Sequence, residues 1–223
     1  MPPLTIELQH KCKDGSIIWG EILSKQEFDA KGNIIGYHGI TREITKRKEL
    51  QEKIEQLAYC DTLTKLPNRR SLDDKMSFIM SKSERSQKYC ALVFLDLDNF
   101  KPLNDTYGHE CGDVVLSTFG KILNKSVREH DIVGRYGGEE FVAIIHFNLN
   151  RELLQFLKRI KTIVTENSFL YKEKKIKVTF SAGVAIRSSF DTYENTLQKA
   201  DMLLYQAKEN GRNKIILENG MEI

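Results

Sequence analysis

Hydrophobic and polar positions change period several times along this chain, and each change predicts an element. Leu4 to His10 alternates with period two, the pattern of a half-buried strand. Lys13-Asp14-Gly15-Ser16 reads as a turn, and a second strand runs from Ile17 through Leu23 to Phe28. Asp29 to Asn33 turns again, and Ile34 to Ile40 returns. This predicts a three-stranded antiparallel meander. Such a sheet has one uncovered face and too little core, so it must pack on something. Residues 42–59 then change to helical spacing, with Leu50, Ile54 and Leu57 on one face of a charged helix.

The remainder alternates helices and strands. A helix from near Asn68 turns Leu72, Met76 and Ile79 inward and carries Asp73 and Asp74 in its first turn, where the dipole favours them. Ala91–Leu97 is an unbroken apolar strand. Gly112 to Val127 is helical, with a stripe of Val115, Phe119 and Ile122. Ile132–Tyr136 and Phe141–His146 form a strand pair, and Arg151 to Val164 is a helix facing inward through Leu153, Leu157, Ile160 and Val164. Strand Ile176–Ile186, helix Tyr193–Ala207 and strand Lys214–Leu217 close the chain. The expected fold class is α/β (α+β), with about five central strands and helices against them.

Candidate chemistry concentrates at two strand ends. Gly134-Arg135-Tyr136-Gly137-Gly138-Glu139-Glu140-Phe141 places two carboxylates behind a Gly-Gly pair between two strands. Gly-Gly in that position is a hairpin signal, and it clears space for a phosphate to approach backbone N–H groups. Hard oxygens beside a phosphate-sized gap suit Mg²⁺ and a nucleoside triphosphate. Taken alone, the stretch fits an ordinary hairpin with an acidic tip equally well. Asp96 and Asp98 end the apolar strand 91–97. If the strands pair, Asp96 and Glu139 meet, and converging half-buried carboxylates repel unless a cation lies between them. The bland alternative is that Asp96 and Asp98 cap the following turn.

Composition adds exclusions. At 223 residues the chain fits one domain plus a fragment, or two small domains. A net charge of +3 argues for neither a nucleic-acid nor a membrane partner. Cys12, Cys60, Cys90 and Cys111 show no metal spacing and fit free thiols in a reducing compartment. No apolar run reaches the roughly 18 residues of a membrane span, and no signal peptide opens the chain. The expected location is cytoplasmic, in a piece of a longer protein whose other segments decide any membrane attachment.

Five ordered blocks carry a family resemblance. They are Asp61-Thr62-Leu63-Thr64-Lys65-Leu66-Pro67-Asn68-Arg69-Arg70; Leu95 to Asp105; Gly108-His109-Glu110-Cys111-Gly112-Asp113; Arg135 to Phe141; and Ala200-Asp201, Tyr205 to Lys208 and Gly211-Arg212-Asn213. The chain resembles the GGDEF family, the diguanylate cyclases, with Glu139 where the family signature has Asp. The resemblance implies a palm-like nucleotidyl cyclase domain over residues 60–223, joined by a helical linker, 46–59. It implies condensation of two GTP into cyclic di-GMP with release of two pyrophosphates. It implies Mg²⁺ (or Mn²⁺), two per half-site, on Asp96, Glu139 and the Leu97 carbonyl, with Glu140 on metal or hydroxyl activation. Substrate contacts fall on Asn99, Phe100, Lys101, Gly137 and Gly138. Guanine falls on Asn104 and Asp113, and the triphosphate on Lys208 and Arg212, the latter just past the last helix. Arg128 and Asp131 match an inhibitory product site, and activity needs a homodimer. Residues 1–45 resemble the C-terminal strands of a PAS domain. A catalytically silent receptor for GTP or cyclic di-GMP is the competing reading.

Overall fold

The computed structural model describes residues 4–82, 89–167, 169–188 and 191–223, without the side chains of 56 and 77–82. The chain divides into two units, Met1–Ala58 and Tyr59–Ile223. In the first, β1 (Leu4–Lys11), β2 (Ile17–Phe28) and β3 (Ile34–Glu43) form an antiparallel meander in that order. Asp14 and Asp29 shape its turns by accepting backbone N–H bonds from Ser16 and from Lys31 and Asn33. Helix α1 (Thr45–Tyr59) follows at once, because β3 runs on to Glu43, three residues past the expected strand end at Ile40. Arg47 and Lys48 of α1 pair with Glu7, and Arg47 also with Glu21. Much of the meander's apolar surface is open, including Ile17, Ile35, Tyr37 and Ile40.

The second unit holds a five-stranded sheet ordered β10-β9-β4-β6-β5. Its strands are β4 (Tyr89–Leu97), β5 (Ile132–Gly137), β6 (Glu140–Phe147), β9 (Phe180–Ile186) and β10 (Ile215–Leu217). Central β4 is antiparallel to both β6 and β9, and β9 is parallel to β10. Every β4 residue after Tyr89 is buried, since both sheet faces are covered. Ala91, Val93, Leu95 and Leu97 face one core with Phe119, Phe141 and Phe180; Cys90, Leu92 and Phe94 face another with Leu72, Tyr193 and Leu204. The first core is closed by α4 (His109–Ser126) and α5 (Asn150–Glu166), the second by α2 (Arg69–Lys82) and α6 (Tyr193–Glu209). Among the described residues no helix is long and apolar enough to cross a membrane.

Four details differ from the sequence expectation. Helix α2 begins at Arg69 with no acidic residue in its first turn; Asn68 caps it by accepting from Ser71 N at 3.0 Å. Asp73 instead accepts from the Tyr193 hydroxyl at 3.1 Å, and the Ile79 side chain lies outside the described residues. An additional helix, α3 (Phe100–Tyr107), precedes α4, the two separated by Gly108 at φ 84°. The expected strand 176–186 is broken: β7 (Phe169–Tyr171) and β8 (Lys174–Ile176) form a separate hairpin ahead of β9.

One contact fixes α6 closely on the sheet. A Cβ on Gly183 of β9 would stand 2.0 Å from the Ala200 carbonyl oxygen and 2.3 Å from the Leu204 nitrogen. Glycine is therefore required here for helix and strand backbones to approach.

Candidate active site

The β4–β6 register sets Asp96 opposite Glu140, with Ser181 of β9 on its other side. Even-numbered positions share a face, so both carboxylates lie on the α2/α6 side of the sheet. Gly138 and Glu139 form the two-residue loop between β5 and β6. Gly138 sits at φ 46°, the left-handed region, which is the reason for glycine at that position. A bulge at Tyr136, between paired residues Arg135 and Gly137, offsets the hairpin. Glu139 thus lies in the loop, and it joins β4 through its carbonyl, which accepts from Leu97 N at 3.3 Å.

The Lys208 ammonium lies 2.7 Å from the Asp96 carboxylate. It belongs to the last turn of α6, whose position the Gly183 contact sets. Burial pushes the Asp96 carboxyl above the ordinary range; Lys208 offsets part of that, and Glu139 and Asp98 add to it. Burial likewise raises Glu140, reinforced by Asp96 and Asp201 and opposed by Lys208. Among the described residues no three acidic, His or Cys side chains gather as a ready-made metal cluster. The donor set nonetheless fits a hard divalent cation: carboxylates from Asp96, Glu139 and Glu140, and the carbonyl of Leu97, whose side chain is buried in the core. Lys208 places a positive charge at that spot, which is what such a set of oxygens requires.

Asp98 has a different job. Its Oδ1 accepts from Ser181 Oγ at 2.7 Å, and its Oδ2 from Thr179 Oγ1 at 2.8 Å and from Asn213 N at 2.9 Å. It does not cap the following turn: Asn99, at φ 55°, starts α3 without a side-chain cap. Phe100 is in the core, so only its backbone can reach a ligand, and Lys101 is exposed. Asn104 of α3 has a buried Oδ1 with no partner among the described residues. It occupies space that a Cβ at Gly112 would fill, 2.0 Å away, and exposed Asp113 follows on α4. Beyond α6, Arg212 is exposed at φ 63°.

A clamp missed by the sequence reading shapes the hairpin. Arg135 donates to the Gly138 carbonyl through Nε at 2.9 Å and an Nη at 2.7 Å, and its other Nη reaches Asp61 at 3.1 Å. Asp61 also accepts from Thr64 N and Oγ1, each at 2.7 Å. Burial alone would raise Asp61, but the Thr64 bonds and Arg135 hold it below the usual carboxylate range. The signal was present as the Asp61–Thr64 block and Arg135, but pairing over that separation is invisible before the fold is known. Beside Glu140 a cleft of roughly 600 Å³ opens, lined by Arg69, Asp73, Tyr136, Tyr193 and Asp201 among others.

A family model described as the diguanylate cyclase, GGDEF domain, matches residues 58–214. The chain belongs to the GGDEF family. Diguanylate cyclase DgcS of Shewanella oneidensis is 38% identical over 162 residues, which is 73% of this chain and 53% of that protein. Diguanylate cyclase DgcZ of Escherichia coli is 37% identical over 154 residues, 69% of this chain and 51% of that protein. The chain therefore spans about half the length of these curated relatives. Among solved structures, the coiled coil and GGDEF domain of DgcB from Caulobacter crescentus, in complex with c-di-GMP, superposes with a TM-score of 0.73 at 27% identity. It covers 78% of this chain and 93% of that one.

On this GGDEF domain, Arg128 and Asp131 lie apart from the carboxylates, at the far end of β5 from the Gly138 loop. Asp131 is buried and accepts from Arg128 N at 3.0 Å and His146 N at 2.9 Å. Burial raises it, but these bonds and His146 hold its carboxyl below the ordinary range. The Arg128 side chain is exposed and approaches Glu152 at 3.9 Å. A small pocket there is also lined by His146, Phe156 and Arg159.

Proposed function

We propose that this GGDEF domain condenses two GTP molecules into cyclic di-GMP. The observation that carries the reading is the register of Asp96 against Glu140, with Leu97, Glu139 and Lys208 brought to the same strand end. In each of two condensations the 3′-oxygen of one ribose attacks the α-phosphorus of the other nucleotide. One P–O bond forms, the α–β phosphoanhydride bond breaks, and pyrophosphate leaves. The hydroxyl proton passes to Glu140 or to solvent. Asp96, Glu139 and the Leu97 carbonyl would hold Mg²⁺ or Mn²⁺, two per half-site, which supply Lewis-acid stabilisation of the phosphoryl oxygens. Lys208 and Arg212 contact the triphosphate, and the Asn99–Lys101 and Gly137–Gly138 backbones approach it.

Guanine selection rests on Asn104 and Asp113. The unpartnered Asn104 Oδ1 supports this, because a buried acceptor needs a donor and the guanine edge offers N1–H and N2–H. The Asp113 carboxylate accepts from the same edge, which adenine cannot supply. One domain binds one nucleotide, so the reaction takes place across a two-fold homodimer. Product inhibition is assigned to Arg128 and Asp131, supported by the pocket that they line together with Arg159, His146 and Glu152. Residues 1–45 are read as the closing strands of a PAS-type sensor, 46–59 as the linker and 60–223 as the catalytic domain.

The deciding experiment incubates the protein with GTP, ATP and Mg²⁺ and resolves the products by mass, with Glu139→Ala as control. Cyclic di-GMP from the parent and not from the variant is expected. Nucleotide binding without any product would favour the silent receptor instead.

A further inference from the structure

We propose that Asp98 is a positioning residue for the triphosphate contacts, fixing the loop that carries Arg212 to the strand end that carries Asp96. This rests on the cyclase reading above. Three consecutive residues, Gly211, Arg212 and Asn213, have left-handed backbones at φ 106°, 63° and 49°. Only the first is a glycine, and a run of three such residues is uncommon for L-amino acids. The first two are held by α6 itself. Gly211 N donates to the Lys208 carbonyl at 3.3 Å and Arg212 N to the Ala207 carbonyl at 3.1 Å, the paired bonds of a Schellman cap. Neither bond restrains Asn213.

Its amide is instead caught by the Asp98 carboxylate at 2.9 Å, while the Asn213 side-chain oxygen has no partner among the described residues. Asp98 is buried, and its other two bonds come from Thr179 and Ser181, at and just before the start of β9. The backbone of Asp98 also donates to the Thr179 carbonyl at 2.9 Å. One carboxylate therefore joins three segments: the end of β4, the entry to β9 and the exit from α6. One residue, Leu97, separates it from Asp96, which pairs with Lys208 at 2.7 Å. The segment Lys208–Asn213 is thus tied to β4 at both ends, by Asp96 at one and Asp98 at the other. Asp98 touches neither phosphate nor metal in this arrangement; it acts through Arg212. Without it, Asn213 can relax to ordinary backbone angles, and the segment that carries Arg212 loses its tether to β4 on the side away from α6.

The test uses 3′-deoxy-GTP with Mg²⁺, which lacks the attacking hydroxyl, titrated calorimetrically against parent and variants. Asp98→Asn replaces the charged acceptor of the Asn213 N–H with a neutral amide, and about a tenfold loss of affinity is expected. Thr179→Val removes a different bond to the same carboxylate; it should lower the melting temperature with less than about a twofold change in affinity. In an Arg212→Ala background, Asp98→Asn should add nothing, because the group it positions is gone. Steady-state kinetics should show Asp98→Asn raising KM more than it lowers kcat. In the parent, the Asn213 amide should be protected from hydrogen exchange. Independent, multiplicative losses for Asp98→Asn and Arg212→Ala overturn the inference. So does equal binding by Asp98→Asn and parent. If Asp98→Asn does not fold, an Asn213 amide exchanging at open-loop rates in the parent overturns it. A parent that fails to bind 3′-deoxy-GTP would instead overturn the cyclase reading.

Discussion

At Glu140 the ionised side chain opposes folding, because burial and the Asp96 charge raise its carboxyl. The folded state therefore binds its proton more tightly than the unfolded chain. Stability from this group is complete below the unfolded value near 4.5 and is lost as pH rises through the higher folded value. Glu140→Gln should melt above the parent at neutral pH, with the difference vanishing toward pH 4, while cyclase activity falls about a hundredfold or more. Thermal scans across pH, with product assays alongside, check both halves. Asp61 has the opposite sign. Its carboxyl is depressed, so its contribution is present above the unfolded value of 3.8 and fades as pH falls through the folded one. Asp61→Asn should cost about 2 kcal/mol at neutral pH by denaturant titration, and little in acid.

Element packing decides where Lys208 arrives. Gly183→Ala forces α6 off β9, since the added carbon meets helix backbone and not a yielding side chain. A loss of about 3 kcal/mol in urea melts is expected, with activity falling further than stability explains. At this scale the sequence was partly legible. The buried run Ala91–Leu97 and the Gly-Gly hairpin stand out because each has one dominant pattern, continuous apolarity or paired glycines. Helix α3 does not. It has eight residues, includes Pro102 and buries only Phe100, so no periodicity can show. The facing of Asp96 by Glu140, where Glu139 was expected, follows from the β4–β6 register, and a register offset of one residue leaves no mark in composition. Asp98 was visible only as a neighbour of Asp96. Its role needed Thr179, Ser181 and Asn213, all more than eighty positions away.

For the molecule as a whole, the proposed two-fold assembly has a surface to use. Leu50, Ile54 and Leu57 of α1 are 50%, 66% and 59% exposed, on one face of a strongly charged helix. Replacing all three by Ser should shift analytical ultracentrifugation profiles toward monomer and make specific activity fall more steeply on dilution. The melting temperature of a fragment beginning at Tyr59 supplies the reference for the unchanged catalytic unit. Arg128→Ala should let progress curves run past the cyclic di-GMP level at which the parent stalls.

The ion pair between Lys208 and Asp96 makes the lysine a competitor for any cation at that carboxylate. A tethered ammonium already neutralises one of the three carboxylates, so magnesium arriving alone would meet a weakened attraction there. On the proposed reading a nucleotide would offer that ammonium a richer anion and free Asp96 to hold a cation. Magnesium added alone should give no calorimetric signal at millimolar concentrations, and a clear one once 3′-deoxy-GTP is present. The order of arrival expected from that single side chain is triphosphate first, or metal and triphosphate together.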